Sequence, residues 1–149
     1  MKFIYCFIPL LLISFSSTAG QALPTLSDFA NSDNTKAVWH KLDIISTLPS
    51  WVKSGGTDGV SYNVTIDGEK YIVLSGCKPH DCMAESIAVL YSSARKEAHA
   101  LFSLHDEKTG RDNLTWINVP EGEMIDARTV LFAKIMGSFD NHPTQFNFK

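Results

Sequence analysis

One short run concentrates the side chains of this sequence that could do chemistry: Cys77, Lys78, Pro79, His80, Asp81 and Cys82. A bonded cysteine pair would close it into a small rigid ring. Closing a ring of about six residues is worth only about 2 kcal/mol by loop entropy, so its value is local shape rather than fold stability. Pro79 adds to that shape, and a pre-ordered loop loses less entropy when it binds something. Four consecutive residues at a tip cannot all be buried, so His80 is expected to face solvent or a partner. A zinc site would need a tetrahedral ligand set, and an oxidised pair supplies none of it. A redox pair is normally Cys-x-x-Cys at a helix start, unlike this wider spacing. A catalytic His80 would need a nucleophile or acid within reach, and the side chain of adjacent Asp81 diverges from it. The remaining chemistry is recognition, with His80 hydrogen-bonding an acidic group on another molecule. A thiol or metal-binding role for Cys77, Cys82 and His80 stays open as the alternative.

No other constellation competes. Gly55, Gly56 and Gly59 lack the Lys-Ser/Thr ending of a phosphate loop and read as turn formers. His40, His99, His105 and His142 are scattered. Trp39, Trp51 and Trp116 fall at element positions and read as core. Asn63 and Asn113 match the N-glycosylation pattern but lie in expected strands. The nucleophile-elbow and zinc-protease motifs are missing, which points away from an enzyme and from any cofactor.

The chain has 149 residues with a formal net charge of -3, 44% hydrophobic and 19% charged. That length suits one domain. The mild acidity and the lack of a basic stripe argue against nucleic acid. No apolar run approaches the about 20 residues of a membrane span. Residues 1–22 read as a secretory signal: Lys2, an apolar stretch over 3–15, then Ser16, Ser17, Thr18, Ala19 and Gly20. Cleavage after Ala19, Gly20 or Ala22 would fit, leaving 23–149 as the mature domain. Loss of Lys2 takes the formal charge from -3 to -4. Cys6 leaves too, and the pair Cys77 and Cys82, exported to an oxidising compartment, reads as one disulfide.

These residues need a frame. The segment 23–52 is helical by pattern, with Ser32, Asp33 and Asn34 as candidate N-caps and Val38, Trp39, Leu42 and Ile45 on one face. Pro49 can start a further helical turn, and Gly55 and Gly56 end it. Strands are expected over 61–66, 70–75, 86–91, 98–104 and 113–118. Asp67-Gly68 supplies the positive φ values of a tight hairpin. Polar turns lie at 92–96 and Gly110. Short connections favour an antiparallel meander. Val130, Leu131, Ala133, Lys134, Ile135 and Met136 form a last helix, with Gly137 as its cap. The fold class is α+β, and the loop 77–82 joins the second and third strands.

The loop sequence resembles the signature of the inhibitor of vertebrate lysozyme (Ivy) family of Gram-negative bacteria. Other stretches agree in order across about 48–149: Leu48-Pro49, Trp51-Val52 and Gly55-Gly56-Thr57; Asp106 to Thr109; Leu114, Thr115, Trp116 and Asn118; Thr129 to Ala133; Asn141, His142 and Pro143 with Phe146 and Asn147. Met83 is bulkier than the small residue the family pattern has there.

The resemblance implies a five-stranded antiparallel meander with helices on both faces, a three-layer α/β/α arrangement. It implies a periplasmic protein, often a homodimer, whose target is C-type lysozyme, the peptidoglycan-cleaving enzyme of host defence. The loop would enter the active-site cleft, and the role of contacting both catalytic carboxylates falls on His80. Lys78, Pro79 and Asp81 would shape and flank it, with Lys78 adding positive charge at the tip, and Cys77 and Cys82 would hold the ring. The resemblance also permits control of the bacterium's own lytic transglycosylases.

Overall fold

The computed structural model describes residues 22–149. The expected signal segment therefore lies, but for Ala22, outside the described residues. The chain folds as α+β around one antiparallel sheet. Short helices α1 (Leu26–Asn31), α2 (Lys36–His40) and α3 (Ser50–Ser54), with a 3-10 turn at Asp43–Ser46, precede it. The strands are β1 (Thr57–Asp58), β2 (Tyr62–Ile66), β3 (Glu69–Cys77), β4 (Glu85–Ser92), β5 (Glu97–Asp106) and β6 (Arg111–Ile117). Helices α4 (Ile125–Ile135) and α5 (Ser138–Asn141) and a 3-10 turn at Pro143–Gln145 follow.

The five expected strands are β2 to β6, running as a meander in the order β3-β4-β5-β6, with β2 paired to β3. Asp67 (φ 51°) and Gly68 (φ 75°) form the β2–β3 turn, as the Asp-Gly pair requires. The sixth strand, β1, pairs with the far end of β3: Thr57 lies opposite Cys77 and Asp58 opposite Gly76. Between them Gly59, Val60 and Ser61 face only Leu74 and Ser75, because Tyr62 resumes the pairing opposite Val73. That extra residue is a β-bulge, which bends the edge strand. The buried Lys134 ammonium steadies it by donating to the Val60 carbonyl at 2.8 Å, while pairing with Asp140 and lying 4.9 Å from the Tyr62 ring centre.

Both faces of the sheet carry an apolar cluster, and alternate strand residues divide between them. Ile87, Val89 and Tyr91 of β4 join Leu26, Phe29, Trp39 and Val52 from the N-terminal helices. Their neighbours Ala88 and Leu90 join Val130, Leu131 and Phe139 from the C-terminal helices. Double-sided burial explains why β4 and β5 read as nearly continuous apolar runs.

The N-terminal helical segment is more broken than its pattern suggests. Ser32 is extended (φ -71°, ψ 143°) and ends α1. The Thr35 hydroxyl donates to the Phe29 carbonyl at 2.7 Å, so a side chain takes up a helix-end acceptor. Thr35, rather than Ser32, Asp33 or Asn34, is the N-cap of α2. Thr25 and Asp28 form a capping box on α1. Pro49 and Gly55 (φ 96°) bound α3 as expected, and Gly137 (φ 77°) lies just past the end of α4.

Two glycines serve different needs. A Cβ on Gly76 would lie 2.2 Å from the Gly55 carbonyl oxygen, whereas one on Gly68 would meet nothing within 4 Å. Gly76 is required for close backbone approach and Gly68 for its left-handed φ. Gly76→Ala is expected to cost about 2–3 kcal/mol by overpacking, and Gly68→Ala about 1 kcal/mol by backbone conformation alone. Urea unfolding of the two variants checks this order; equal losses would contradict it.

Candidate functional site

The loop is an extension of the β3–β4 ladder that closes in two consecutive turns. Past Cys77, the Lys78 N–H donates to the Glu85 carbonyl at 3.0 Å. The Asp81 N–H then donates back to the Lys78 carbonyl at 3.0 Å, and the Ala84 N–H to the Asp81 carbonyl at 3.2 Å. The first turn carries Pro79 at its second position and His80 at its third, where φ is 66°. This is type II turn chemistry: proline presets the first corner, and the second needs a positive φ. Glycine or asparagine usually fills that corner. Histidine is a less common occupant, though enriched there over most side chains. The Cys77–Cys82 disulfide closes the ring with the Cα atoms 4.8 Å apart, as the cysteine pair implied.

The turn exposes its tip. Pro79, His80, Asp81 and Cys82 are exposed, and Met83 is 89% exposed. The charged neighbours of His80 are engaged inside the loop. The Lys78 ammonium lies 3.1 Å from Asp81 Oδ2 and 3.3 Å from Glu85 Oε1. Hydrogen bonds to Asp81 and then Glu85 raise the Lys78 pKa above its ordinary value. The expected free positive charge at the tip is therefore an internal tether. Among the described residues, the His80 imidazole has no hydrogen-bond or ionic partner, so both ring nitrogens are open to another molecule.

The base of the loop is set by α3. Glu85 Oε2 accepts the Trp51 indole N–H at 2.6 Å. Glu85 shares the sheet face of Ile87 and Val89 by the period of two, which turns it toward the N-terminal helices. Gly56 lets the loop base approach α3: a Cβ there would lie 2.4 Å from the Cys77 carbonyl oxygen and 2.5 Å from Trp51 Cε3. On the other side the His105 N–H donates to the Ala84 carbonyl at 2.8 Å.

Trp51 is half core, as expected, with its ring 6.3 Å from Phe102, and half loop support. The sequence reading missed Glu85. Its one available signal was a carboxylate at the start of an otherwise apolar strand, directly after the loop. Two of the other histidines are engaged elsewhere. His99 is buried with Nδ1 2.5 Å from the Asn118 carbonyl oxygen, and His105 Nδ1 lies 2.8 Å from Asp112. Among the described residues no group of three or more His, Cys, Asp and Glu could hold a metal.

This geometry has known counterparts in sequence. The family model described as inhibitor of vertebrate lysozyme (Ivy) matches residues 35–121, the whole loop included. The inhibitor of vertebrate lysozyme of Escherichia coli (strain K12) is 45% identical over 139 residues, or 93% of this chain and 88% of that protein. The chain belongs to the Ivy family. A Pseudomonas aeruginosa inhibitor of vertebrate lysozyme is 31% identical over 87 residues, covering 56% of this chain and 57% of its own length. An uncharacterized protein of Yersinia pestis is 33% identical over 93 residues, 60% of each chain. For this Ivy member the resemblance read from the loop and its flanking motifs is thus established.

Two measurements test the loop as built. The Cys77→Ser, Cys82→Ser double variant of this Ivy chain is expected to stay folded, losing about 2 kcal/mol in urea unfolding. Collapse of the fold would show that the ring carries more than local shape. The second concerns pH. A lysine whose pKa is raised on folding contributes its full stabilisation below the ordinary value and loses it as pH rises through the folded one. On the alkaline side, the near-ultraviolet signal of Trp51, assigned by Trp51→Phe, is expected to hold until about pH 10 or higher. A transition closer to neutrality would show that Lys78 does not govern loop order.

Proposed function

We propose that this protein is a periplasmic inhibitor of C-type lysozyme, acting by occupation of the active-site cleft. The observation that carries the reading is His80: exposed, without a partner among the described residues, and fixed at the tip of a disulfide-closed turn. The names of the E. coli and P. aeruginosa relatives support the same target. A retaining lysozyme works with one protonated and one ionised carboxyl group about 5 Å apart. An imidazole presents nitrogens on opposite sides of a flat ring, so one side chain can engage both groups and fill the sugar site. The bond to the ionised carboxylate is charge-assisted and the stronger of the two. Lys78 and Asp81, held to each other, keep the tip in shape and leave His80 to make the contact. The formal charge, -4 once the signal with Lys2 is removed, favours encounter with a basic enzyme, chiefly through the association rate. Export to the periplasm and assembly as a homodimer belong to the same proposal.

His80→Ala is expected to raise the inhibition constant for C-type lysozyme at least about tenfold, equivalent to about 1.4 kcal/mol. Because His80 holds a positive φ, His80→Asn is the companion variant, since Asn tolerates that conformation and removes the imidazole. Both variants should lose inhibition while their urea midpoints stay near wild type. Unchanged inhibition by either would sink the role given to His80. If folded, oxidised wild type failed to inhibit lysozyme at tens of micromolar, the target would have to be sought among single-acid enzymes such as the cell's own lytic transglycosylases.

A further inference from the structure

The loop tip has a support that reaches beyond the ring. From α3 to the tip the groups run in a chain: Trp51 Nε1–H to Glu85 Oε2 at 2.6 Å, Glu85 Oε1 to Lys78 Nζ at 3.3 Å, and Lys78 Nζ to Asp81 Oδ2 at 3.1 Å. Each link crosses a different boundary. The first ties a helix to a strand, the second ties the strand to the loop, and the third spans the turn that bears His80. The disulfide constrains only the loop's two ends, Cys77 and Cys82. Pro79 fixes its own φ but not the plane of the turn relative to the sheet. Backbone bonds close the turn onto β4, and the ionic chain adds a side-chain tie from the turn back to α3.

We propose that Glu85 is a positioning residue for His80, oriented by Trp51 and acting through Lys78 and Asp81. The proposal rests on the reading of the loop as the target-binding element. Its physical basis is the asymmetry of exposure along the chain. The Glu85 side chain is 14% exposed, whereas Lys78 and Asp81 are 39% and 47% exposed. Two exposed partners alone make a weak, salt-screened pair. A largely buried carboxylate, aligned by an indole N–H on a core-anchored ring, gives that pair a fixed anchor. Trp51 in turn packs into the cluster containing Val52, Ile87 and Phe102. Movement of α3 therefore reaches His80 through bonded groups. The double contact also means that loss of Glu85 leaves the Lys78 ammonium with Asp81 as its remaining partner, so the loop loses a negative charge as well as an anchor.

The experiment combines two readouts. Amide hydrogen exchange at Asp81, whose N–H closes the His80 turn, reports loop order without any target. Glu85→Ala is expected to speed that exchange about tenfold, the scale of one lost charge-assisted hydrogen bond. Glu85→Gln keeps one acceptor oxygen, which can serve Trp51 or Lys78 but not both, so it should recover only a minor part of the protection. Trp51→Phe, which keeps the ring and removes the donor, should fall between wild type and Glu85→Ala. The amide of Val89 in the central strand serves as the control and should not change. The second readout is lysozyme inhibition in a double-mutant cycle. Glu85→Ala should raise the inhibition constant about tenfold in the wild-type background and by less than about twofold in the His80→Ala background. Equal effects in both backgrounds would overturn the positioning role. So would unchanged Asp81 exchange across the variants, whether or not lysozyme is inhibited. If exchange responds as expected and wild type does not inhibit lysozyme, the support stands and the target assignment fails.

Discussion

The register of β3 against β4 is the constraint on which the rest depends. It sets Cys77 opposite Ser86, Gly76 opposite Ile87 and Leu74 opposite Val89. Side chains alternate across a sheet, so this one choice sends Ile87, Val89 and Tyr91 to the N-terminal helices and Ala88 and Leu90 to the C-terminal ones. A slip of one residue would exchange the two sets and present each helix group with the wrong volumes. The same register carries Glu85 to the face where Trp51 waits. Core packing and loop geometry are therefore consequences of a single pairing. The body need not be tuned separately to hold the tip.

Much of this arrangement was legible in the sequence. Asp67-Gly68 announced the hairpin because few residue pairs accept two positive φ values. The spacing of apolar runs separated the five long strands, and the cysteine pair with Pro79 marked a closed, exposed loop. What stayed hidden depends on distant partners. Two residues, Thr57 and Asp58, become a strand only because Cys77 and Gly76 lie beside them. The bulge at Gly59 to Ser61 follows from the mismatch between that pairing and the β2 register. The break after Asn31 turns on the Thr35 hydroxyl, which can serve the helix or interrupt it. Lys78 reads as a free charge until Glu85 and Asp81 are seen on either side of it. Glu85 itself looks like an ordinary polar strand start until Trp51 is placed above it.

The loop also shows how a small element can be shaped independently of the stability of its body. Its ring is short, so its cross-link contributes little to folding free energy. The positive φ at His80 has an unfavourable local cost for a residue with a side chain. A fold with two filled apolar faces tolerates both. Strained conformations persist where the surroundings over-determine them, and here three separate devices do so: a covalent ring, a proline corner and an ionic chain anchored in the core.

That redundancy bears on what a single side chain can achieve at a target. An exposed histidine on a flexible loop would give up rotational and backbone freedom on binding, offsetting much of the gain from its hydrogen bonds. When the turn is already fixed, what remains is mainly the rotamer freedom of one imidazole. The tethering of Lys78 and Asp81 to each other has a further effect. Lys78, which could compete for the same acidic groups, and Asp81, which would repel them, are already satisfied within the loop. The imidazole, with a nitrogen on each side of its ring, is left as the group able to answer two closely spaced carboxyl groups at once. In the proposed complex, the selectivity of the tip comes as much from the charges turned inward as from the ring turned out.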